Sequence, residues 1–158
     1  MIPVSGIHHF SITCADADRS AAFYRDLFGM EVVSDREIPP GGFTERVTGV
    51  EGARVRIVHL HGYGLNFELL EYKEPRGEIR AREPSHAGSA HLCFVTDDME
   101  TAVEALRAAG VPFRSAEGEA HNVEGGPNDG GSCVYVEDPD GNAVELVHLV
   151  RPWIAKDR

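Results

Sequence analysis

Apolar and polar residues alternate along two stretches of the chain, residues 6–14 and 90–96. Alternation with a period of two is typical of a strand that buries one face. The two stretches align when His9 is placed on His91, because each histidine then precedes the first residue of the apolar face. The aligned apolar positions are Phe10 with Leu92 and Ile12 with Phe94. Each half of the chain is therefore predicted to begin with a strand that directs one histidine away from its apolar side.

A second pair of strand patterns lies at the end of each half, in residues 66–70 and 143–147. Each pattern buries two apolar side chains on one face and directs a glutamate, Glu68 or Glu145, from the other. A single strand histidine or glutamate is usually an ordinary hydrogen-bonded or solvated residue. Two histidines and two glutamates at corresponding places of a duplicated unit instead favour a shared metal site.

The residues between these patterns give the first half the order βαβββ. Apolar residues at helical spacing predict a helix over residues 19–28, preceded by two possible capping aspartates and ended by Gly29. Further predicted elements are a short strand at 30–33, a loop at 35–51, and strands at 54–61 and 65–72 joined by a turn.

The second half follows residues 73–89, a polar stretch with Pro and Gly that is typical of a linker. Its predicted elements are a helix capped by residues 95–98 and ended by Gly110, a short strand at 111–113, a long glycine-rich segment at 115–131, and a hairpin of strands 132–137 and 142–149 over a tight Asp-Gly turn. The segment is long for a compact domain and is a candidate functional loop. We therefore predict an α+β fold of two tandem βαβββ modules, residues 4–72 and 90–150, in one domain of residues 1–158.

The composition narrows the possible functions. The chain has 158 residues, of which 42% are hydrophobic and 26% charged, as in a globular domain. A net charge of −11 argues against a nucleic-acid partner, and no apolar run is long enough to cross a bilayer. Three cysteines without zinc spacing and a first segment unlike a signal peptide predict reduced thiols in the cytoplasm. We expect a small-molecule substrate, no membrane partner and a homodimer.

These patterns together resemble the vicinal oxygen chelate superfamily, which includes glyoxalase I, methylmalonyl-CoA epimerase, extradiol dioxygenases, and fosfomycin and bleomycin resistance proteins. The matching motifs are IHHFSIT with His9, NFELLEY with Glu68, AHLCFVTDD with His91, and EDPDGNAVELVHL with Glu145. The resemblance implies a glyoxalase-like domain in which these four side chains bind one divalent ion, Ni, Co, Mn, Fe or Zn. Two imidazoles and two carboxylates suit such an ion.

By resemblance to the four-ligand members, the expected activity is that of a metal-dependent lyase or isomerase. One carboxylate removes a proton next to a carbonyl, and the metal stabilises the resulting enediolate. The resemblance to glyoxalase I assigns Glu145 as the base and Glu68 as its counterpart. Thr13 stands where glyoxalase I has an arginine for the glutathione carboxylate. The end of the first half is closer to the epimerase, whereas the second half lacks the insertion that the epimerase has before its last ligand.

Two other functions are open at this point. An extradiol-type dioxygenase would hold Fe(II) with His9, His91 and Glu145, and Tyr135 matches the spacing of a tyrosine in that group. Glu68 would then be an unwanted fourth ligand. A non-catalytic binding or resistance protein is the other possibility, although such proteins usually lack the complete set of ligands.

Four residues are candidate substrate contacts, and three of them have a simpler structural explanation. They are Thr13 in the first strand, His59 in a strand of the first half, Asn128 in the glycine-rich loop, and Tyr135 in the last hairpin. A sheet histidine, a flexible surface turn and a strand tyrosine with its hydroxyl at the rim would account for the last three without a ligand.

Overall fold

The structure is a computed structural model that describes residues 1–79 and 83–151. The chain divides into two compact units, residues 1–79 and 80–158, and each unit has its own four-stranded sheet. The predicted α+β fold of two tandem βαβββ modules is confirmed. Part of the predicted linker, residues 80–82, lies outside the described residues. Among the described helices, none has the length and apolar character needed to span a membrane.

Unit 1 has the strand order β1-β4-β3-β2, in which β1 and β4 are parallel and the other neighbours are antiparallel. A parallel pair needs a crossover connection, and here the connection from β1 begins with a helix. The elements are β1 (Phe10–Thr13), α1 (Ala17–Phe28), β2 (Glu31–Ile38), α2 (Phe43–Thr48), β3 (Arg54–Gly62) and β4 (Leu65–Glu74).

One part of the core of unit 1 lies between α1 and one face of the sheet, and a second buried cluster of Ala53, Val55 and Ile57 packs with Leu70 and Tyr72. Phe67 and Leu69 of β4 are fully buried, and the ring of Tyr24 from α1 meets Phe67 edge-on at 4.7 Å. The helix begins at Asp16, whose carboxylate accepts a hydrogen bond from the Arg19 N–H. Because side chains alternate along a strand, the burial of Phe67 and Leu69 on one face directs Glu68, which lies between them, to the other face.

Two predictions in unit 1 were wrong in extent. The strand predicted at 30–33 continues to Ile38 as β2, and the region predicted as a loop also contains α2. β2 is an exposed edge strand, so its second half carries polar residues on both faces and has no apolar alternation to detect. α2 has six residues, too few to show helical periodicity. The predicted turn before β4 is correct, since Tyr63 and Gly64 both have positive φ in a two-residue hairpin loop.

Unit 2 repeats the arrangement, with the strand order β5-β8-β7-β6. Its helix begins at Asp98, whose carboxylate accepts from the Thr101 N–H, and it buries Val103 and Leu106. Val144 of the last strand is fully buried on the apolar face of the sheet. The elements are β5 (His91–Val95), α3 (Met99–Ala108), β6 (His121–Asn122), β7 (Ser132–Glu137) and β8 (Ala143–His148).

The prediction was also wrong at three places in unit 2. The strand predicted at 111–113 is reduced to one bridge, Phe113 with Val136, beside a proline that has no N–H to donate. The edge strand β6 lies instead in the segment predicted to have no strand. The loop of the last hairpin is wider than the predicted tight Asp-Gly turn. Within this loop, the buried Asp138 carboxylate accepts hydrogen bonds from the N–H groups of Asp140 and Asn142.

Candidate metal centre

Glu68 and His9 lie together on the face of the first sheet that is opposite to α1. Glu68 sits in β4 between two buried residues, and 12% of its side chain is exposed. His9 directly precedes β1, and 37% of its side chain is exposed. Because β1 is paired with β4 with Ser11 opposite Glu68, the imidazole Nε2 comes within 3.6 Å of the Oε1 atom of the carboxylate.

The other oxygen of Glu68 contacts a third side chain, His59 of β3. The ladder between β3 and β4 places His59 directly opposite Glu68. Its Nε2 atom is 3.0 Å from Oε2 of Glu68, and only 18% of the imidazole is exposed. His59 was predicted as a possible substrate contact, and the structure places its ring on the carboxylate of a predicted metal ligand.

Unit 2 brings His91 and Glu145 together in the corresponding way. His91 begins β5 and Glu145 lies in β8, with His91 Nε2 at 3.0 Å from Oε2 of Glu145. Strand pairing places Cys93 of β5 beside Glu145 on one side and Tyr135 of β7 beside it on the other. The Tyr135 hydroxyl is 3.3 Å from His91 Nε2. The predicted histidine and glutamate of each half therefore do form a pair.

The two neighbours of Glu145 are held in their neutral forms. Burial raises the pKa of the Cys93 thiol to about 12, and the negative charge of Glu145 adds to the effect. Burial also raises the pKa of Tyr135 well above its usual value, and the negative charge of Glu145 adds a smaller effect. At neutral pH this part of the face presents a thiol and a hydroxyl rather than two further anions.

The donors in each pair fit a divalent ion. Two ligand atoms that each lie about 2.1 Å from a metal are about 3.0 Å apart at a right angle and about 3.4 Å apart at the tetrahedral angle. The separations of 3.6 Å in unit 1 and 3.0 Å in unit 2 are close to these values. Within the described ranges, no three His, Cys, Asp or Glu side chains form a group that could hold a metal ion. Each unit thus presents two of the four predicted donors.

The other predicted contacts have different surroundings. Thr13 is exposed at the end of β1, where it pairs with Leu70. Asn128 uses its amide within its own unit: Nδ2 donates to the His148 carbonyl at 3.0 Å, and Oδ1 accepts from the Val150 N–H at 3.2 Å. These two bonds fix the glycine-rich segment to the end of β8, which accounts for an asparagine at this position without a ligand.

Sequence reasoning missed the contact between His59 and Glu68, although the signal for it was present. A two-residue turn at Tyr63 and Gly64 pairs residue 62 with 65, and counting back along both strands pairs 59 with 68.

Ser11 was also overlooked. Its hydroxyl is buried beside Glu68 in the ladder and has no partner among the described residues. A buried hydroxyl of this kind usually bonds a water or a ligand.

The sequence matches the profile of the Glyoxalase/Bleomycin resistance protein/Dioxygenase superfamily over residues 6–146. Because this match covers most of the chain, the protein belongs to that superfamily.

Individual relatives carry different activities in their names. The chain is 29% identical over 147 residues to a 2-epi-5-epi-valiolone epimerase of an Actinomyces species, covering 90% of this chain and 79% of the relative. It is 30% identical over 145 residues to the lactoylglutathione lyase of Haemophilus influenzae, covering 89% and 90%. The crystal structure of a glyoxalase family protein from Bacillus cereus superposes with a TM-score of 0.78 over 95% of this chain and 97% of that one, at 17% identity, and supports the fold alone.

Proposed function

We propose that the protein is a metal-dependent lyase or isomerase that moves a proton at a carbon next to a carbonyl group of a small molecule. The observation that carries the proposal is the repeated pair of one imidazole and one carboxylate, His9 with Glu68 and His91 with Glu145. The names of a lyase and an epimerase among its relatives support this class of reaction.

The four side chains of these pairs would hold one divalent ion of the Ni, Co, Mn, Fe or Zn type. Such an ion supplies Lewis-acid stabilisation of negative charge that develops on substrate oxygen atoms. Glu145 would take the proton from carbon, with a carboxylate whose side chain is 17% exposed and so reachable from solvent. In an epimerase-type reaction, Glu68 would be the second acid–base group.

Metal uptake is the first test. The purified protein, stripped with a chelator and then exposed to Ni²⁺, Co²⁺ or Mn²⁺, should retain about one ion per chain by elemental analysis. Failure to take up any of these ions would overturn the proposal. The loaded protein should then be screened in deuterated water with 2-oxoaldehyde hemithioacetals and acyl-CoA thioesters, with solvent deuterium incorporated into product as the expected result.

An extradiol-type dioxygenase is the second candidate, and the position of Tyr135 favours it. Its protonated hydroxyl lies 3.3 Å from the Nε2 atom of a proposed ligand, His91, where it could bond a bound catechol. This reading predicts oxygen consumption when the Fe(II)-loaded protein is mixed with catechols. Deuterium incorporation without oxygen consumption would decide for the lyase or isomerase.

A further inference from the structure

The imidazole of His9 is contacted at both of its nitrogens. Its Nε2 atom lies 3.6 Å from Oε1 of Glu68. Its Nδ1 atom lies 2.8 Å from Nδ1 of His8, the preceding residue, and this contact is a hydrogen bond. The two rings meet edge-on, with their planes at 81°. One nitrogen of His9 therefore faces a proposed metal ligand, and the other faces a second imidazole.

We propose that His8 is a positioning residue, which accepts a hydrogen bond from Nδ1–H of His9 and so leaves the Nε2 lone pair of His9 free for the metal. This inference rests on the proposed metal centre. A hydrogen bond between two ring nitrogens needs a proton on one and a lone pair on the other. The nitrogen that binds a metal is set by the hydrogen bond that the other nitrogen makes. With Nε2 of His9 as the ligand atom, Nδ1 of His9 is the donor and Nδ1 of His8 is the acceptor.

The distance to Glu68 agrees with this placement of the proton. At 3.6 Å, the contact between Nε2 of His9 and the Glu68 carboxylate is too long for a hydrogen bond. A proton on Nε2 would therefore gain no bond to that carboxylate. A proton on Nδ1 forms the 2.8 Å bond to His8 and leaves Nε2 open on the side of Glu68, which is the form that a metal requires.

The main chain at His8 is fixed, although β1 starts only at Phe10. The side-chain amide of Asn66 in β4 donates from Nδ2 to the His8 carbonyl, at 2.9 Å. The other end of that amide is also bonded, since its Oδ1 lies 2.8 Å from Nδ1 of His61 in β3. A chain of hydrogen bonds thus runs from β3 through β4 to His8 and on to the ring of His9. It restricts that imidazole before a metal arrives, which lowers the entropy lost on binding.

The second half of the chain has no equivalent of His8. The residue before His91 is Ala90, whose side chain has no acceptor. The hydroxyl that contacts the ring of His91 comes from Tyr135, and it lies near Nε2, at 3.3 Å. The two proposed histidine ligands thus differ in their second contacts, and the bond to an adjacent imidazole belongs to His9.

The test is the affinity of the stripped protein for Co²⁺, measured by competition with a chromophoric chelator. His8→Phe keeps a ring but removes the acceptor, and it should weaken Co²⁺ binding about 10-fold, the lower end for loss of such a partner, because water reaches this exposed site. His8→Asn places an oxygen where Nδ1 stood and should restore most of the affinity. His8→Gln carries its amide further along the side chain and should bind as weakly as His8→Phe.

The matched control is His86→Phe, which replaces an exposed histidine in a loop and should bind Co²⁺ like the wild type. A second measurement locates the proton without any metal. NMR of the stripped protein with isotope-labelled histidine should show the proton of His9 on Nδ1 in the wild type, and both tautomers of His9 in His8→Phe.

Three results would overturn the inference while leaving the proposed function intact. They are wild-type Co²⁺ affinity in His8→Phe, equal affinities of the asparagine and glutamine variants, and a proton on Nε2 of His9 in the stripped wild type. No Co²⁺ uptake by the wild type would overturn both the inference and the proposed function.

Discussion

The side chains around Glu145 limit which group on that face can accept a proton from carbon. A raised pKa keeps Cys93 as a thiol, and Tyr135 likewise remains a phenol at neutral pH. A general base must be deprotonated at the working pH, so neither neighbour can fill the role. His91 is the other candidate, but it would lose its free lone pair on binding a metal. Glu145 is therefore the group to test.

We predict that Glu145→Gln lowers turnover by about 100-fold or more, the usual contribution of general acid–base catalysis. The amide matches the carboxylate in shape but cannot take a proton. The measurement is solvent deuterium incorporation with the substrate found in the screen, alongside circular dichroism to confirm the fold. Glu104→Gln on α3 is the control and should turn over normally. A Glu145→Gln variant that works at the wild-type rate would exclude Glu145 as the base.

At the scale of elements, one arginine connects the edge strand of unit 1 to its neighbours. The Arg56 guanidinium of β3 makes two hydrogen bonds to Asp35 of β2, of 2.9 and 2.7 Å, and one of 2.8 Å to Asp18 of α1. Its hydrogen bonds hold the pKa of both carboxyl groups below the ordinary value of 3.8. Arg56 thus joins the exposed β2 to the inner strand and the helix.

We predict that Asp35→Asn lowers the free energy of unfolding at pH 7 by about 0.5–1 kcal/mol, a value limited by solvent screening. Since the folded pKa of Asp35 is lowered, its contribution is present above pH 3.8 and is lost as the pH falls through the folded pKa. Urea unfolding of the two proteins, followed from pH 7 downwards, should therefore converge at acid pH. A difference that grows with acidity would contradict this origin.

Asp26→Asn is the matched control for that series. Asp26 also forms a close pair with an arginine, at 2.7 Å, but its partner Arg25 is the adjacent residue. A pair between sequence neighbours can form in the unfolded chain as well, so it joins no elements and should contribute little to folding. Removal of Asp26 is expected to leave stability nearly unchanged across the same pH range.

The elements that sequence predicted well are those with a strong period or a clear cap. α1 and α3 combine helical spacing with Asp16 and Asp98 as caps, and the inner strands alternate around fully buried residues. The second half of β2 and the whole of β6 escaped prediction because an exposed edge strand has no apolar face to reveal it. Duplication alone put His9, Glu68, His91 and Glu145 into one predicted donor set, and that set stays a prediction. Contacts across the ladder, such as that of His59, needed the strand register.

At the scale of the whole molecule, each unit has a separate hydrophobic core and a separate pair of donors. The boundaries at residues 4–72, 73–89 and 90–150, the single domain, the cytoplasmic location and the homodimer stay predictions. Light scattering of the purified protein would establish its oligomeric state. The proposed four-donor centre requires both pairs, so it predicts that metal binding makes the two units depend on one another.

The last prediction tests this dependence through stability. A ligand that binds only the folded state stabilises it by about 2.7 kcal/mol at a hundred times its Kd, so Co²⁺ at that excess should raise the Tm of the wild type by several degrees. His9→Ala in unit 1 and His91→Ala in unit 2 should each abolish most of this rise. His86→Ala, which removes an exposed loop histidine, should leave it unchanged. If only one of the two ligand substitutions removed the rise, the ion would be bound within a single unit, and the four-donor centre would have to be abandoned.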